Sequence, residues 1–249
     1  MAVRCRIMAM HIATRTDSVR LVRAVATAAA FAALVAGAAR LVLFEVGRNG
    51  NVVENGPVEL TQIAVLAAAS LAYGLRASAS NTFRRGPARA YVLCALLVLT
   101  MAVRELDGFL DLAFFHGAWC VIDGAVIAAF LCVLMRRPAE SAHDLADFAA
   151  GPECPMLLAG IAFALLFAQA LGYKGLWKHV FDVPIWTDTV APLFDETGHL
   201  PAEINILRHV KNIVEESFEL ACYLLVLASA VLPPALANRR AGPRDRQTV

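Results

Sequence analysis

A dense group of charged and polar residues lies at the start of the last apolar stretch of the chain. Its members are Arg208, Lys211, Asn212, Glu215, Glu216 and Glu219. Helical spacing puts positions 208, 212, 215 and 219 on one face. Three glutamates within two turns of an apolar helix cannot all be ionised without cations, because like charges repel strongly where water is scarce. We therefore expect at least one carboxylate to meet a partner from another helix, a metal ion or a shared proton.

Polar residues at the ends of three other apolar stretches extend this pattern. They are Glu59 and Gln62 in the second stretch, Arg104, Glu105, Asp107 and Asp111 after the third, and His116, Trp119 and Asp123 in the fourth. Glu105 has no partner on its own helix face, and Asp123 lies about two turns inside an apolar run. Such carboxylates are costly in a membrane and tend to be paired or functional.

Several of these residues also have interpretations that need no functional site. Glu59 lies in the first turn of a helix predicted to begin at Pro57, where the helix dipole favours an anion. Arg104 shares a helix face with two carboxylates, Asp107 and Asp111, and can neutralise them. A single histidine near a membrane surface, such as His116, is typical of a hydrogen-bonded interfacial residue. The sequence leaves both kinds of interpretation open.

The composition indicates that these residues belong to a membrane protein. The chain has 249 residues, of which 59% are apolar and 17% are charged, and its mean hydropathy is +0.62. A soluble domain is nearer about 45–50% apolar and about 25% charged, and a chain of this size cannot hide so much apolar surface in one core. The net charge of +1 provides no basic field to attract nucleic acid. We expect an all-α protein that has the lipid bilayer as a partner.

Six apolar runs are predicted to cross the membrane. They are 21–44, 57–75, 90–103, 114–135, 155–173 and 213–236. Crossing about 30 Å of hydrocarbon takes about 20 residues, so the third is short unless its helix continues toward Asp111. Arginines concentrate before the first span, between the second and third, after the fourth and in the tail. The positive-inside rule then predicts one integral domain over 1–249 in the cell inner membrane, with both termini cytoplasmic.

This topology predicts where the remaining segments lie. Residues 174–211 are expected to form a lid on the outer surface, and 138–153 a solvated loop or a short helix on the cytoplasmic side. Small residues recur at helical spacing in the first span, at Ala24, Ala28, Ala32 and Ala36, and in the fifth, at Gly160, Ala164 and Ala168. Such faces predict close helix packing. The polar residues of four helices would then line a cavity open to the periplasm.

Three functions are compatible with such a cavity. Our leading expectation is an enzyme that acts on a lipid or lipid-linked substrate, in which a divalent metal ion held by His116, Glu216 and Glu219 activates water. Its catalytic candidates are Glu59, Glu105, Asp111, His116, Asp123, Glu215, Glu216 and Glu219, and its substrate-binding candidates are Gln62, Arg104, Trp119, Arg208, Lys211 and Asn212.

The two alternatives need no reaction. One is a non-enzymatic subunit or assembly factor of a membrane complex, whose carboxylates hold the bundle in register against other membrane subunits. The other is a proton- or cation-coupled transporter, because clustered carboxylates are common proton carriers. A transporter also needs polar groups in the cytoplasmic half of the membrane, and the sequence shows almost none there.

Three short segments resemble parts of bacterial multi-pass inner-membrane proteins. They are Gly56-Pro57-Val58-Glu59, Arg104-Glu105-Leu106-Asp107 and Glu215-Glu216-Ser217-Phe218-Glu219-Leu220, together under a tenth of the chain. The resemblance implies a membrane location and no particular activity. By analogy, the intramembrane acidic and histidine residues are similar to those of CREST-type membrane hydrolases, whose histidine pair and seven spans are missing from this sequence.

Overall fold

The computed structural model describes residues 2–49, 52, 56–83, 87–172 and 206–231. Within these ranges the chain is entirely helical and contains no strand, which confirms the all-α fold class. The eight helices described are α1 (Ala2–Asn49), α2 (Pro57–Phe83), α3 (Ala88–Glu105), α4 (Asp107–Ala113), α5 (Ala118–Arg136), α6 (Pro138–Ala149), α7 (Glu153–Gly172) and α8 (Ile206–Val231).

Fewer helices than expected are apolar enough to cross a membrane. In the described part of the chain they are Ala28–Asn49 of α1, Pro57–Asn81 of α2 and α5. The helices α6 and α7, bent by 92° at their junction, add a fourth if they are taken as one broken span. The prediction of six such spans is therefore wrong by this measure. The predicted third and sixth spans correspond to α3 and α8, which carry too many charged residues along their length.

The core lies between α2, α3, α7 and α8. Helix α2 packs along α3, and α8 packs along both α7 and α2. Leu66, Ala69 and Tyr73 recur at helical spacing on α2 and are fully buried, as expected for an apolar stripe that faces a core. Val98 of α3 and Val226 of α8 complete this part of the core.

Helix α5 covers the outer side of α3 and leaves most of its own apolar surface exposed. Val121, Ile127 and Leu131 are among its exposed side chains. An exposed apolar surface of this extent is unfavourable in water, whereas lipid tails are as apolar as these side chains. The apolar helices are therefore those of a membrane-embedded protein.

Small residues let α7 and α8 approach closely. A Cβ atom on Gly160 would lie 2.8 Å from Val226 Cγ2 and 2.9 Å from the carbonyl oxygen of Cys222. Ala164, one turn further along α7, is buried. The predicted packing face is confirmed at these two positions, while the side chain of Ala168 lies outside the described part. The alanines that form the corresponding stripe on α1, at 28, 32 and 36, are exposed, and the side chain of Ala24 lies outside the described part.

Helix α1 contacts α2 and α8 near its C-terminal end. Val42 packs with Val58 and Leu220 in a small apolar cluster separate from the main core. One turn later Glu45, only 1% exposed, accepts a hydrogen bond of 2.8 Å from the backbone N–H of Val58. This carboxylate satisfies one of the unpaired N–H groups at the start of α2 and complements its helix dipole.

Candidate functional site

Glutamates from three helices lie together, at the start of α2, at the end of α3 and in the middle of α8. Glu216 interacts electrostatically with Glu59, Glu105 and Glu215. Glu219 interacts with Glu105, Glu215 and Glu216. These five residues are named the carboxylate cluster below. The structure therefore brings together five of the predicted catalytic candidates.

Gln62 connects α2 to α8 inside the carboxylate cluster. Its side chain is 0% exposed, and Nε2 donates to Glu216 Oε2 at 2.9 Å and to the Glu216 carbonyl oxygen at 3.0 Å. Its other polar atom, Oε1, is buried without a hydrogen-bond partner among the described residues. Leaving a buried amide oxygen unpaired costs about 1–3 kcal/mol. A hydrogen-bond donor or a cation beside this atom would remove that cost.

Tyr223 connects α8 to α3 in a similar way. Its hydroxyl donates a hydrogen bond of 2.8 Å to Glu105 Oε1. Tyr223 is buried, whereas Glu105, Glu216 and Glu219 are half-buried. The hydroxyl of Tyr223 and the amide of Gln62 are both neutral donors. They orient two carboxylates without cancelling the charge of either.

A small cavity opens beside two of the glutamates. Its volume is about 60 Å³, and it is lined by Met101, Arg104, Glu105, Ala164, Leu165, Glu219 and Tyr223. Arg104 supplies the positive charge of this lining and is itself exposed. A space of this size has room for a few water molecules or one small ion.

His116 pairs with Asp111, not with the carboxylate cluster. The ring Nδ1 lies 2.7 Å from Asp111 Oδ2, and the His116 side chain is 99% exposed. Asp111 Oδ1 also accepts a 2.8 Å hydrogen bond from the backbone N–H of Gly117, whose φ of 85° favours glycine. The pair therefore fixes the turn between α4 and α5, and α5 begins at Ala118 instead of the predicted 114.

The structure does not group the three residues predicted to bind a divalent metal. Within the residues that it describes, no three histidine, cysteine, aspartate or glutamate side chains are grouped as metal ligands. His116 pairs with Asp111, and its side chain is exposed. A divalent metal held by His116, Glu216 and Glu219 stays a prediction.

The other predicted residues are distributed around the bundle. Helix α3 ends at Glu105, which interrupts the continuous face predicted for Arg104, Asp107 and Asp111. Asp123 Oδ1 on α5 is buried and has no hydrogen-bond partner within the described ranges. Trp119 and Asn212 are half-buried, and the side chains of Arg208 and Lys211 lie outside the described part, as does segment 174–205 of the predicted lid.

Two buried carboxylates are absent from the sequence-based candidates. Glu45 and Glu153 are 1% and 3% exposed, respectively. Each lies within two residues of the end of a predicted apolar run, where a charge is ordinarily solvated. The signal that identifies Glu45 is its position just before the glycine, asparagine and proline residues that precede α2, where a carboxylate can meet a helix N-terminus.

No protein-family model, curated protein or solved structure matches the chain. The assignment of the site therefore depends on its own geometry. That geometry is a set of half-buried acceptors held by neutral donors beside a small cavity.

The bond between Gln62 and Glu216 can be tested by mutation. Gln62→Leu is expected to lower the free energy of unfolding in detergent micelles by about 1–3 kcal/mol, because Glu216 Oε2 loses its donor. The matched control is Thr61→Val, whose hydroxyl bonds only within its own helix, to the Pro57 carbonyl at 2.7 Å. The control is expected to change stability by less than about 0.5 kcal/mol. Equal losses in both variants would contradict the assignment.

Proposed function

We propose that this chain is an integral membrane protein that binds a small monovalent cation, H⁺ or Na⁺, at the carboxylate cluster as a step in cation-coupled transport. The observation that carries the proposal is the excess of acceptors over positive charge among the described side chains. Glu105, Glu216 and Glu219 interact with one another and share the charge of Arg104, and the Gln62 amide adds an oxygen that has no donor among the described residues. A bound cation satisfies all of these groups at once.

The size of the cavity favours this function over the lipid-directed enzyme. Its volume of about 60 Å³ suits a small ion or a few water molecules. The enzyme hypothesis also depended on His116 as a metal ligand, and His116 pairs with Asp111 on the exposed turn. A proton needs a single carboxylate oxygen, and a sodium ion would take carboxylate and amide oxygens together with water.

We further propose that the carboxylate cluster lies in the outer half of the cell inner membrane and that both termini are cytoplasmic. The helix directions support this arrangement: α2 begins near the carboxylate cluster and α3 ends there. Arg89 and Arg136 lie at the opposite end, as the positive-inside rule requires of a cytoplasmic side.

Infrared difference spectroscopy on the protein in liposomes tests the cation site. We expect a carboxyl band that changes either when the pH is changed without sodium or when Na⁺ is added at constant pH. A response to pH identifies the cation as H⁺, and a response to sodium identifies it as Na⁺. The band is expected to disappear in Glu105→Gln and Glu219→Gln.

The matched control is Glu140→Gln, which removes an exposed carboxylate on α6. This variant is expected to keep the band of the wild-type protein. If neither pH nor Na⁺ produces a band that the Glu105→Gln and Glu219→Gln variants abolish, the proposed cation site is overturned.

A further inference from the structure

A second buried polar group occupies the opposite end of the same core. Its members, named the Arg76–Glu153 group, are Tyr73 and Arg76 of α2, Tyr91 of α3, Glu153 of α7 and Ser229 of α8. Three of these helices, α2, α3 and α8, also carry the carboxylate cluster. Along α8, Glu219 and Ser229 are separated by about 15 Å at about 1.5 Å per residue.

Glu153 is the carboxylate of this group and is incompletely paired. Its side chain is buried, and Oε1 accepts a 3.2 Å hydrogen bond from the Tyr91 hydroxyl. Arg76 Nη2 lies 3.7 Å from the same oxygen, beyond hydrogen-bond distance. Neither that nitrogen nor Glu153 Oε2 has a hydrogen-bond partner in the described part of the chain. The ion pair is therefore open, with an unused acceptor on the carboxylate.

Arg76 is held by contacts that do not depend on the charge of Glu153. Its Nη1 donates to the carbonyl oxygens of Ser229 and Ala230, at 3.1 and 3.2 Å. Its guanidinium carbon lies 4.8 Å from the centroid of the Tyr91 ring, a distance at which cation–π attraction operates. Arg76 can therefore stay in place when Glu153 becomes neutral.

Among the described residues, the other titratable groups that face Glu153 are uncharged near neutral pH. They are Tyr73 of α2, Tyr91 and Cys94 of α3 and Cys154 of its own helix. Phenols and thiols ionise mainly above neutral pH, so within this part of the chain Arg76 is the cation that balances Glu153. Binding of a proton by Glu153 changes the net charge of this group by one unit.

A closed apolar section separates the two polar groups. Leu66, Ala69, Val98 and Val226 lie between them in the core and are fully buried. These four side chains carry no group that can bind or pass on a proton, and core side chains pack closely. Transfer from one end to the other therefore requires these helices to separate.

We propose that Glu153 is a second proton-binding carboxylate and that the protein passes protons between it and the carboxylate cluster. The proposal rests on the proposed function and identifies the proton as the cation. The proton leaves a carboxylic acid of the carboxylate cluster and is taken up by the carboxylate of Glu153. The polar group that a transporter needs on its cytoplasmic side is then the Arg76–Glu153 group.

Proton flux into liposomes that contain a pH-sensitive dye tests this inference. A pH gradient is imposed with the membrane potential clamped by K⁺ and valinomycin. We expect Glu153→Gln to lower the flux at least about tenfold, while Glu140→Gln leaves it unchanged. The infrared carboxyl band of the carboxylate cluster is expected to persist in Glu153→Gln, which separates the two proposals.

Two results distinguish the possible failures. A persistent band together with wild-type flux in Glu153→Gln overturns the role of Glu153, whereas loss of any cation-dependent band in the wild-type protein overturns the proposed function itself. If Glu153→Gln does not fold, the flux is measured with Tyr91→Phe instead, since this variant removes only the hydroxyl that donates to Glu153. This variant is expected to change the pH dependence of the flux, and an unchanged profile contradicts the proposal.

Discussion

Arg76→Ala is expected to lower the free energy of unfolding by about 3–5 kcal/mol, because it leaves a buried carboxylate without its cation. Glu153, 3% exposed, would keep only the hydroxyl of Tyr91 as a donor. The carbonyl oxygens of Ser229 and Ala230 would also lose the guanidinium. Denaturant-induced unfolding in mixed micelles, followed by tryptophan fluorescence, measures the loss.

A double variant distinguishes the effect of the lost ion pair on stability from the effect of lost packing. Arg76→Ala combined with Glu153→Gln is expected to recover most of the stability, because a neutral amide replaces the unpaired charge. Arg136→Ala removes an exposed arginine at the same end of the bundle and is expected to change stability by less than about 0.5 kcal/mol. A double variant that is no more stable than Arg76→Ala alone would contradict this explanation.

Gly160→Ala is expected to lower the free energy of unfolding by about 1–3 kcal/mol, even though alanine is the better helix former by about 1 kcal/mol. The added Cβ would lie 2.9 Å from the carbonyl oxygen of Cys222, a backbone atom that cannot move without α8. The two helices must therefore separate. Ala164 and Glu219 line the same cavity between these helices, so cation binding at the carboxylate cluster should weaken as well.

The control variant for this prediction is expected to change the free energy of unfolding in the opposite direction. No described atom lies within 4 Å of a Cβ placed on Gly74 of α2. Gly74→Ala is therefore expected to raise the free energy of unfolding by up to about 1 kcal/mol, through helix propensity alone. Both variants are measured by the same micelle unfolding experiment. Similar changes in the two would show that close contact between α7 and α8 does not govern stability.

The helices were largely predictable because their signals are local. Pro57 begins α2 as predicted, and α5 ends at Arg136, one residue from the predicted boundary. The start of α5 is misplaced in the prediction because Phe114 and Phe115 continue the apolar run. The helix break there depends on Gly117 and on the contact between Asp111 and His116, which an apolar pattern does not report.

The pairing of side chains within the site was not predictable in the same way. Carboxylates inside an apolar run are conspicuous, and the carboxylate cluster consists of such residues. Its connections join residues far apart in sequence: 154 positions separate Gln62 from Glu216, and 118 separate Glu105 from Tyr223. A single sequence does not indicate which of these distant residues are in contact.

The Arg76–Glu153 group shows where the sequence pattern misleads. Glu153 ends the segment 138–153, for which the sequence predicts a solvated loop or a short helix. The segment does form the short helix α6, but Phe148 packs its ring against Tyr73 and Tyr91, which buries the neighbouring carboxylate. The sharp turn between α6 and α7 creates this burial. Hydropathy records the polarity of the segment and not the direction in which the chain turns.

The attachment of α1 has a consequence for how the protein is made. Helix α1 is translated before both of the helices it contacts, and near its C-terminal end it packs against Val58 of α2 and Leu220 of α8. Its contact with α8 can form only after more than 150 further residues have been added to the chain. A polypeptide that is truncated before Ile206 would therefore leave α1 without this part of its binding surface.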